Sequence, residues 1–339
     1  MPDDEPLVAL RSGDGALIEE VRAVVVLADL PLVVHPPAAP PPPRADLLLD
    51  SASEWSPQDP SWTARPHRSL WVSTDPDVQA PDGGACLTLP SAAEEVLARV
   101  RLCTRRRHAQ VVGVVGARGG AGASALSAVL AKACADKGLG AALVDLDAAG
   151  AGIDLLLGIE HEPGLRWADL AGDRGTFPAQ SLSMALPTWH GVRVLSIDWR
   201  GGIDTGPCAQ VLDALAAGHD VLVLDLPRAG MSTDQRRWAQ LCDVVLVLAT
   251  CDVIAAAGVQ AARRELDGQD LRLVVRGPAP GGLTPAELAA TCGLPLALHM
   301  RPERSLAAAI ERGVAPGEQR RGPLMRGARQ LVAELGLAT

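Results

Sequence analysis

Short apolar runs alternate with amphipathic stretches along the first hundred residues of this chain. The apolar runs have the length of strands in a buried parallel sheet, and the stretches between them space apolar residues three or four apart, as helices do. The predicted strands are 7–10, 32–35, 46–50, 69–73 and 86–89. The predicted helices are 16–29 and 92–102. This alternation favours an α/β unit built on a five-stranded sheet.

The same alternation resumes after residue 110 and predicts a second, larger α/β unit. Its predicted strands are 111–115, 141–145, 192–197, 220–227, 244–250, 271–275 and 296–300. Its predicted helices begin after the first strand and then lie at 209–217, 253–266, 306–312 and 323–337, with one more starting at a capping box on Thr284. Helices on both faces of a mostly parallel sheet make a doubly wound domain, whose ligand lies at the carboxyl ends of the strands.

Composition and charge set limits on both units. Residues 1–100 carry 16 acidic and 6 basic side chains, and the chain as a whole has a net charge of −9, so neither unit has the cationic face of a nonspecific nucleic-acid binder. The run of arginines within 101–109 is interpreted as a solvated basic linker between domains 1–100 and 110–339. Seven scattered cysteines without a CxxC pair, no leader-like start and no apolar run of membrane length predict a soluble, cytoplasmic protein with reduced thiols.

A glycine-rich loop, residues 116–122, joins the first strand of the second unit to the helix that follows. Its glycines let backbone N–H groups turn inward without side-chain clash, and the helix N-terminus adds positive potential, so the segment is typical of a phosphate-binding loop. Ser124 stands where such a loop places the hydroxyl that binds Mg²⁺. Ala123 stands where the phosphate-binding lysine is expected. A glycine-rich turn of another Rossmann-like domain is the alternative.

The segment 118–124 resembles the deviant Walker A loop, KGGxGK(S/T), of the MinD/ParA ATPases. It keeps a basic residue, Arg118, at the early signature position and lacks the later lysine. That combination is similar to the CpaE/TadZ branch, and most of all to its actinobacterial septum site-determining (Ssd) members. The resemblance implies binding of ATP and Mg²⁺. The nucleotide-binding residues that it implies in the loop are Arg118, Gly119, Gly120, Ala121, Gly122, Ala123, Ser124 and Ala125.

Three aspartates and one arginine complete the site that the resemblance implies. Asp147, in the pair Asp145-x-Asp147, matches the family residue that orients or activates the attacking water and is the predicted catalytic residue. Asp145 and Asp225, each at the end of an apolar strand, join Ser124 as predicted metal-site residues. Arg276 occupies the place of an asparagine that contacts adenine in the family, so it is a predicted nucleotide contact in which base recognition is altered.

The first unit resembles a response-regulator receiver domain, which CpaE-like proteins carry at this end. Asp50 matches the phosphoacceptor, and Ser73 or Thr74 matches the hydroxyl residue. Arg11 and Ser12 replace the acidic pair, and Leu89 replaces the lysine before a proline. Without those groups nothing offsets the charge of a phosphate, so we interpret this flavodoxin-like unit as a pseudo-receiver used for docking. Asp50 is expected to be a solvated carboxylate at a strand end.

The tail of the chain, 323–337, is amphipathic, and MinD itself ends in a membrane-binding amphipathic helix. The apolar stripe here lacks Phe and Trp, and cations are few, which favours packing on the core over insertion into a membrane. Any membrane association is therefore expected to be indirect.

The functional expectation is a CpaE/TadZ/Ssd-like positioning protein for septum-site control or for polar pilus or secretion assembly. The resemblance implies that ATP with Mg²⁺ drives formation of a homodimer, in which Arg118 reaches the partner's phosphates. Loss of the lysine predicts very slow or absent hydrolysis. The first unit is expected to bind cell-division, pilus or secretion proteins at a polar or septal location, and no specific nucleic acid. The alternatives are an active, cycling MinD-like ATPase and a nucleotide-free pseudo-ATPase scaffold.

Overall fold

The computed structural model describes residues 7–28, 30–37, 39, 45–56, 58, 69–81, 85–104, 109–172, 177–201, 203, 205–228, 236, 238–319 and 322–337. The chain divides into two compact units, Met1–Arg106 and Arg107–Thr339. Each unit has its own sheet and its own apolar core. Of the expected basic linker, 101–104 belong to a helix, and 105–108 lie outside the described residues.

The first unit is built on a five-stranded parallel sheet. Its strands are β1 (Val8–Arg11), β2 (Leu32–His35), β3 (Leu47–Ser51), β4 (Ser69–Ser73) and β5 (Cys86–Thr88). They lie in the order β2-β1-β3-β4-β5, and every pairing is parallel. This is the strand order of the flavodoxin-like fold, which brings the carboxyl ends of β1 and β3 side by side.

Two helices of the first unit supply the other half of its core. Helix α1 (Gly15–Val26) starts at Asp14, whose side chain accepts a hydrogen bond from the N–H of Ala16 at 2.9 Å. Its buried residues form one stripe, as the sequence pattern predicts. Helix α2 (Ala93–Thr104) contributes Val96 and Val100 to the same core.

The second unit is built on an eight-stranded sheet. Its strands are β6 (Gln110–Gly116), β7 (Ala141–Asp145), β8 (Thr188–Trp189), β9 (Val192–Leu195), β10 (Val221–Asp225), β11 (Val244–Thr250), β12 (Leu271–Arg276) and β13 (Leu296–Met300). The order is β13-β12-β11-β6-β10-β7-β9-β8, and only the β8–β9 pair is antiparallel within the described strands. Strand β6 therefore lies at the centre, between β10 and β11.

Helices surround this sheet. They are α3 (Ala123–Ala135), α4 (Ile153–Leu157), α5 (Trp167–Leu170), α6 (Ala179–Ala185), α7 (Thr205–Gly218), α8 (Val253–Glu265), α9 (Pro285–Cys292), α10 (Leu306–Ile310) and α11 (Pro323–Glu334). No helix in the described part of the chain is long and apolar enough to cross a membrane. The capping box expected at the start of α9 is present, since Thr284 and Glu287 hydrogen-bond each other's backbone N–H groups.

The carboxyl-terminal helix α11 packs against α3. Its stripe, which includes Leu324, Ala328 and Leu331, is buried within the main core of the second unit. The expectation of core packing is confirmed, and the apolar face of α11 is occupied by the protein itself.

Several element boundaries differ from those predicted, and local structure explains two of the differences. Helix α7 begins at Thr205 rather than 209, because Pro207 falls in its first turn, where a missing N–H breaks no helical hydrogen bond. Strand β9 ends at Leu195 rather than at 197, because the carbonyl of Ser196 accepts a hydrogen bond from the N–H of Trp167 instead of continuing a ladder.

Candidate functional site

The parallel strands of the second unit end at one edge, and a cavity of about 640 Å³ lies there. The loop that follows β6 forms one side of it. Most of the site residues predicted from the sequence line this single cavity, although they come from four separate segments of the chain. They are Arg118, Gly119, Gly120, Ala121, Gly122, Ala123, Ser124, Ala125, Asp147, Asp225 and Arg276.

The loop takes a conformation that only glycine adopts without strain. Gly120 has φ 72° and Gly122 has φ 97°, both in the left-handed region. Gly122 is also the N-cap residue of α3, and it offers no capping side chain to the first turn of that helix. The first-turn N–H groups and the helix dipole are therefore available to an anion at the cavity.

Tight packing fixes the start of the loop. The N–H of Ala117 donates to the carbonyl of Leu248 at 2.9 Å, which ties the loop to β11. Helix α8 lies directly against the loop backbone at Gly258, where an added Cβ would overlap the carbonyl oxygen of Ala117. A glycine in the middle of a helix costs stability, so its presence here reflects this close approach.

Arg118 lies at the rim of the cavity and pairs within its own chain. Its Nη2 is 3.7 Å from Oδ2 of Asp252, and 41% of its side chain is exposed. Asp252 is the N-cap of α8 and accepts a hydrogen bond from the N–H of Ala255 at 2.9 Å. Exposed pairs of this kind contribute little to stability, so the guanidinium can leave Asp252 at small cost.

Asp225 and Ser124 bring oxygen atoms to the cavity, and the buried side chain of Ser127 supports Asp225. Asp225 is the buried last residue of β10, and its Oδ1 accepts a hydrogen bond from Oγ of Ser127 at 3.0 Å. Burial raises the pKa of Asp225 to about 7, and a hydrogen bond from the Ser124 side chain opposes that rise.

These donors fit a magnesium ion that shares its shell with a phosphate. Mg²⁺ takes hard oxygen ligands and is usually held by one or two carboxylates plus phosphates of the substrate. The described residues hold no group of three or more His, Cys, Asp or Glu side chains that could hold a metal ion.

Asp145 and Asp147 have different surroundings, although they are two residues apart. The carboxylate of Asp145 accepts hydrogen bonds from the N–H of Asp147 at 3.1 Å and from the N–H of Ile153 at 2.9 Å. It is buried and is not among the residues that line the cavity, whereas Asp147 is. Burial raises the pKa of Asp145 to about 6. Asp145 therefore shapes the backbone turn that presents Asp147, and its place in a metal site stays a prediction.

Comparisons with known proteins agree with the fold of the second unit. The ParA family, described as NUBPL iron-transfer P-loop NTPase, matches residues 107–267. The crystal structure of a ParA family ATPase from Chlorobium tepidum superposes with a TM-score of 0.58 at 15% identity, covering 66% of this chain and 98% of that one. The second unit has the fold of the ParA/MinD superfamily of P-loop NTPases. We call residues 107–339 the ParA/MinD-like unit.

Two further comparisons show how much of this chain is similar to other proteins. The septum site-determining protein MinD of Pyrococcus horikoshii, solved as a complex with Mg-ADP, has a TM-score of 0.52 at 15% identity, covering 67% of this chain and 96% of that one. Uncharacterized proteins from two strains of Mycobacterium tuberculosis are 45% identical over 207 residues, which is 60% of this chain and 57% of theirs. The match thus spans little more than half the length of these curated relatives.

Two arginines of the ParA/MinD-like unit lie beside the glycine loop, which the sequence does not predict. Arg276 ends β12, and its Nη2 donates to the carbonyl of Gly120 at 3.4 Å, so it reaches the glycine loop itself. Arg228, three residues after Asp225, also lines the cavity. Arg228 is not among the site residues predicted from the sequence. It could have been predicted as a site residue because it follows closely on a strand that ends in a buried carboxylate.

A second wall of the cavity was also not predicted. It is formed by residues at and just before α10, namely Glu303, Arg304, Leu306, Ala307 and Ile310. This segment carries no glycine pattern or acidic motif, so only the folded chain brings it to the loop.

The first unit holds a buried ion pair at the place expected for phosphoacceptor chemistry. Nε of Arg11 lies 2.8 Å from Oδ1 of Asp50, and both side chains are fully buried. The expectation that Asp50 is a solvated carboxylate is therefore wrong. The parallel register sets Arg11 directly beside Asp50, so the residue that replaces the acidic pair also occupies the space in front of the carboxylate.

Proposed function

We propose that the ParA/MinD-like unit binds ATP with Mg²⁺. The observation that carries the proposal is the convergence of the glycine loop, Ser124 and Asp225 on one cavity at the carboxyl edge of the sheet. Backbone N–H groups of 119–124 would hold the phosphates, and the hydroxyl of Ser124 with Asp225 would hold Mg²⁺. The Mg-ADP complex of the P. horikoshii MinD supports this choice of ligand.

Hydrolysis would be very slow or absent. Asp147 lines the cavity and would orient the attacking water, but Ala123 supplies no charge to the phosphates where a P-loop lysine would. Bound Mg²⁺ would neutralise part of the phosphate charge. Loss of one group that stabilises the transition state costs on the order of 10²–10³ in rate. Nucleotide would therefore act as a long-lived switch, with the homodimer as its ATP-bound state.

Isothermal titration calorimetry of the full chain with ATP and Mg²⁺ tests the proposal. We expect binding at micromolar to millimolar ATP, and about tenfold weaker binding after Ser124→Ala, because an oxygen ligand of Mg²⁺ is lost. Ser181→Ala, on the exposed face of α6, is the matched control and should leave binding unchanged. No heat of binding at millimolar ATP would favour the nucleotide-free scaffold. Turnover at the rate of a cycling ATPase would favour the active MinD-like alternative.

We infer that the whole chain is a positioning protein of the CpaE/TadZ/Ssd type, placed at a pole or septum. This inference rests on the ATP site proposed above. It is supported by a first unit whose sheet has flavodoxin-like strand order and whose Asp50 is paired with Arg11. The first unit would dock cell-division, pilus or secretion proteins without being phosphorylated, since Arg11 already pairs with Asp50. Incubation with acetyl phosphate and Mg²⁺ should leave its intact mass unchanged. A stable adduct that disappears in Asp50→Asn would contradict the docking role.

A further inference from the structure

The cavity of the ParA/MinD-like unit has an excess of positive charge that its loop does not explain. Among the residues described, four arginines and three acidic side chains line it, and Ala123 occupies the lysine position. The arginines are Arg118, Arg228, Arg276 and Arg304. Two of them, Arg228 and Arg276, reach the glycine loop itself.

Arg276 approaches the loop from β12. Its Nη1 is 3.3 Å from the position that a Cβ on Gly122 would take, and its Nη2 donates weakly to the carbonyl of Gly120. Its Nε is buried and has no hydrogen-bond partner within the described residues. Burial, followed by the charge of Arg118, lowers the pKa of Arg276, so this guanidinium carries a positive charge that its own surroundings do not neutralise. An anion in the cavity would neutralise it.

Arg228 approaches the loop from the other side of β6. It follows β10, which pairs with β6 on the side opposite β11 and β12. Its Nη1 is 2.7 Å from the position that a Cβ on Gly119 would take. Any side chain at Gly119 would displace this guanidinium, so the glycine accommodates the arginine as well as the loop.

We propose that Arg276 and Arg228 replace the missing lysine as phosphate ligands of the loop, within the same chain. The inference rests on the proposed binding of ATP. It assigns Arg276 to the phosphates rather than to the base. A guanidinium can donate two parallel hydrogen bonds to phosphate oxygens, whereas a lysine supplies a single point charge. The ligand class is a nucleoside triphosphate or another polyphosphate, held from two sides of the loop.

The first test compares ligands that share phosphates or share the base. ATP, GTP, AMP and inorganic tripolyphosphate, each with Mg²⁺, are titrated into the full chain and into Arg276→Gln and Arg228→Gln. Glutamine removes the charge and keeps a hydrogen-bond donor for Gly120. We expect each variant to bind ATP and tripolyphosphate about 10- to 100-fold more weakly, because a charge-assisted hydrogen bond is lost. AMP binding and the ratio of ATP to GTP affinity should change little.

The matched control is Arg272→Gln, on the same strand as Arg276. Arg272 pairs with Asp270 at 2.8 Å and does not line the cavity, so its loss should leave binding unchanged. Thermal unfolding of all variants checks that each remains folded. Should Arg276→Gln unfold, Arg276→Lys keeps the charge and should retain most of the binding.

The second test moves the charge back into the loop. Ala123→Lys should strengthen ATP binding about tenfold or more in the Arg276→Gln background. It should add little to the wild type, because Arg276 already supplies the positive charge that the new lysine would bring. Unchanged ATP and tripolyphosphate binding in both arginine variants would overturn the inference while leaving the proposed function intact. A changed ATP to GTP ratio with unchanged tripolyphosphate binding would overturn it in favour of base recognition. If tripolyphosphate binds but ATP does not, the proposed function is refuted and the arginine site is supported.

Discussion

Arg11 and Asp50 illustrate how one substitution changes the chemistry of a whole site. Both side chains are fully buried, and each charge is compensated by the other. Removing one partner of a buried ion pair is costly because the remaining charge stays in a poorly solvating environment. The pair therefore makes Asp50 part of the packing of the first unit instead of a reactive group.

We predict that Arg11→Met lowers the free energy of unfolding of the first unit by about 3–5 kcal/mol. Urea unfolding followed by circular dichroism measures the change. Arg22→Met is the control, because the Arg22–Glu19 pair is exposed and spans 3.6 Å, and its loss should cost less than about 1 kcal/mol. The double variant Arg11→Met with Asp50→Leu should recover most of the loss. Equal effects of Arg11→Met and Arg22→Met would contradict a compensating role for Arg11.

His219 gives the ParA/MinD-like unit a predictable sensitivity to acid. Its Nδ1 lies 2.8 Å from the carbonyl of Leu215, and burial lowers its pKa below the ordinary value. As the pH falls below about 6.5, the unfolded chain takes up a proton that the folded chain does not, so the free energy of unfolding decreases until the folded-state pKa is reached. His219→Gln should flatten this decrease between pH 7 and 5, as measured by urea midpoints. His161→Gln, at an exposed position, should leave the slope unchanged; a slope unaltered by His219→Gln would assign the acid sensitivity elsewhere.

Single residues also mark the limit of what the sequence predicts about the site. The glycine loop, Asp147 and Asp225 could be placed at one cavity because short local motifs specify them. The orientation of Asp145 depends on which backbone N–H groups lie nearby after folding, and no spacing rule encodes that. Arg276 was predicted only as a contact with nucleotide. Its approach to Gly120 depends on which strands are neighbours in the folded sheet.

At the scale of elements, strands and helices with strong periodicity were predicted closely. Strands β2, β4, β7, β11 and β13 have the bounds that their apolar runs predict. The order of strands in the sheet was not predictable in the same way, because pairing between β6 and β10 joins segments far apart in sequence. That order is what brings Asp225 next to the loop.

Helix α8 contains a glycine whose replacement should be harmful despite helix propensity. Alanine is favoured over glycine in a helix interior by up to about 1 kcal/mol, but a Cβ at Gly258 would overlap the backbone of Ala117. We predict that Gly258→Ala destabilises the unit by about 1–3 kcal/mol and weakens ATP binding, because the loop must move. Gly15→Ala, where a Cβ meets nothing within 4 Å, should be neutral or slightly stabilising. Thermal unfolding and calorimetry check both variants, and wild-type behaviour of Gly258→Ala would show that α8 can shift freely.

At the scale of the whole molecule, the central expectation is an ATP-dependent dimer. Arg118 is exposed enough to exchange Asp252 for a phosphate of the partner chain, as the resemblance to MinD/ParA proteins implies. We predict that ATP with Mg²⁺ doubles the mass of the wild type in light scattering and that Arg118→Ala stays monomeric with ATP.

The control for this prediction frees the arginine instead of removing it. Asn is as good an N-cap residue as Asp, so Asp252→Asn keeps the start of α8 and removes the charge that holds Arg118. This variant should dimerise at least as readily as the wild type. A dimer that survives Arg118→Ala would exclude a role in trans for Arg118.

The central position of β6 has a consequence for the way this protein is made. On the ribosome β6 emerges long before its neighbours β10 and β11, and the hydrogen bond that joins Val111 to Asp243 spans 132 residues. Contacts in the first unit are closer in sequence, as in the 39-residue span from Leu7 to Asp46. The first unit can therefore fold while the second is still being translated. During that time the apolar strand β6 lacks the strands β10 and β11 with which it pairs. A nascent chain arrested before β10 would carry a finished first unit and a glycine loop that still lacks Asp225.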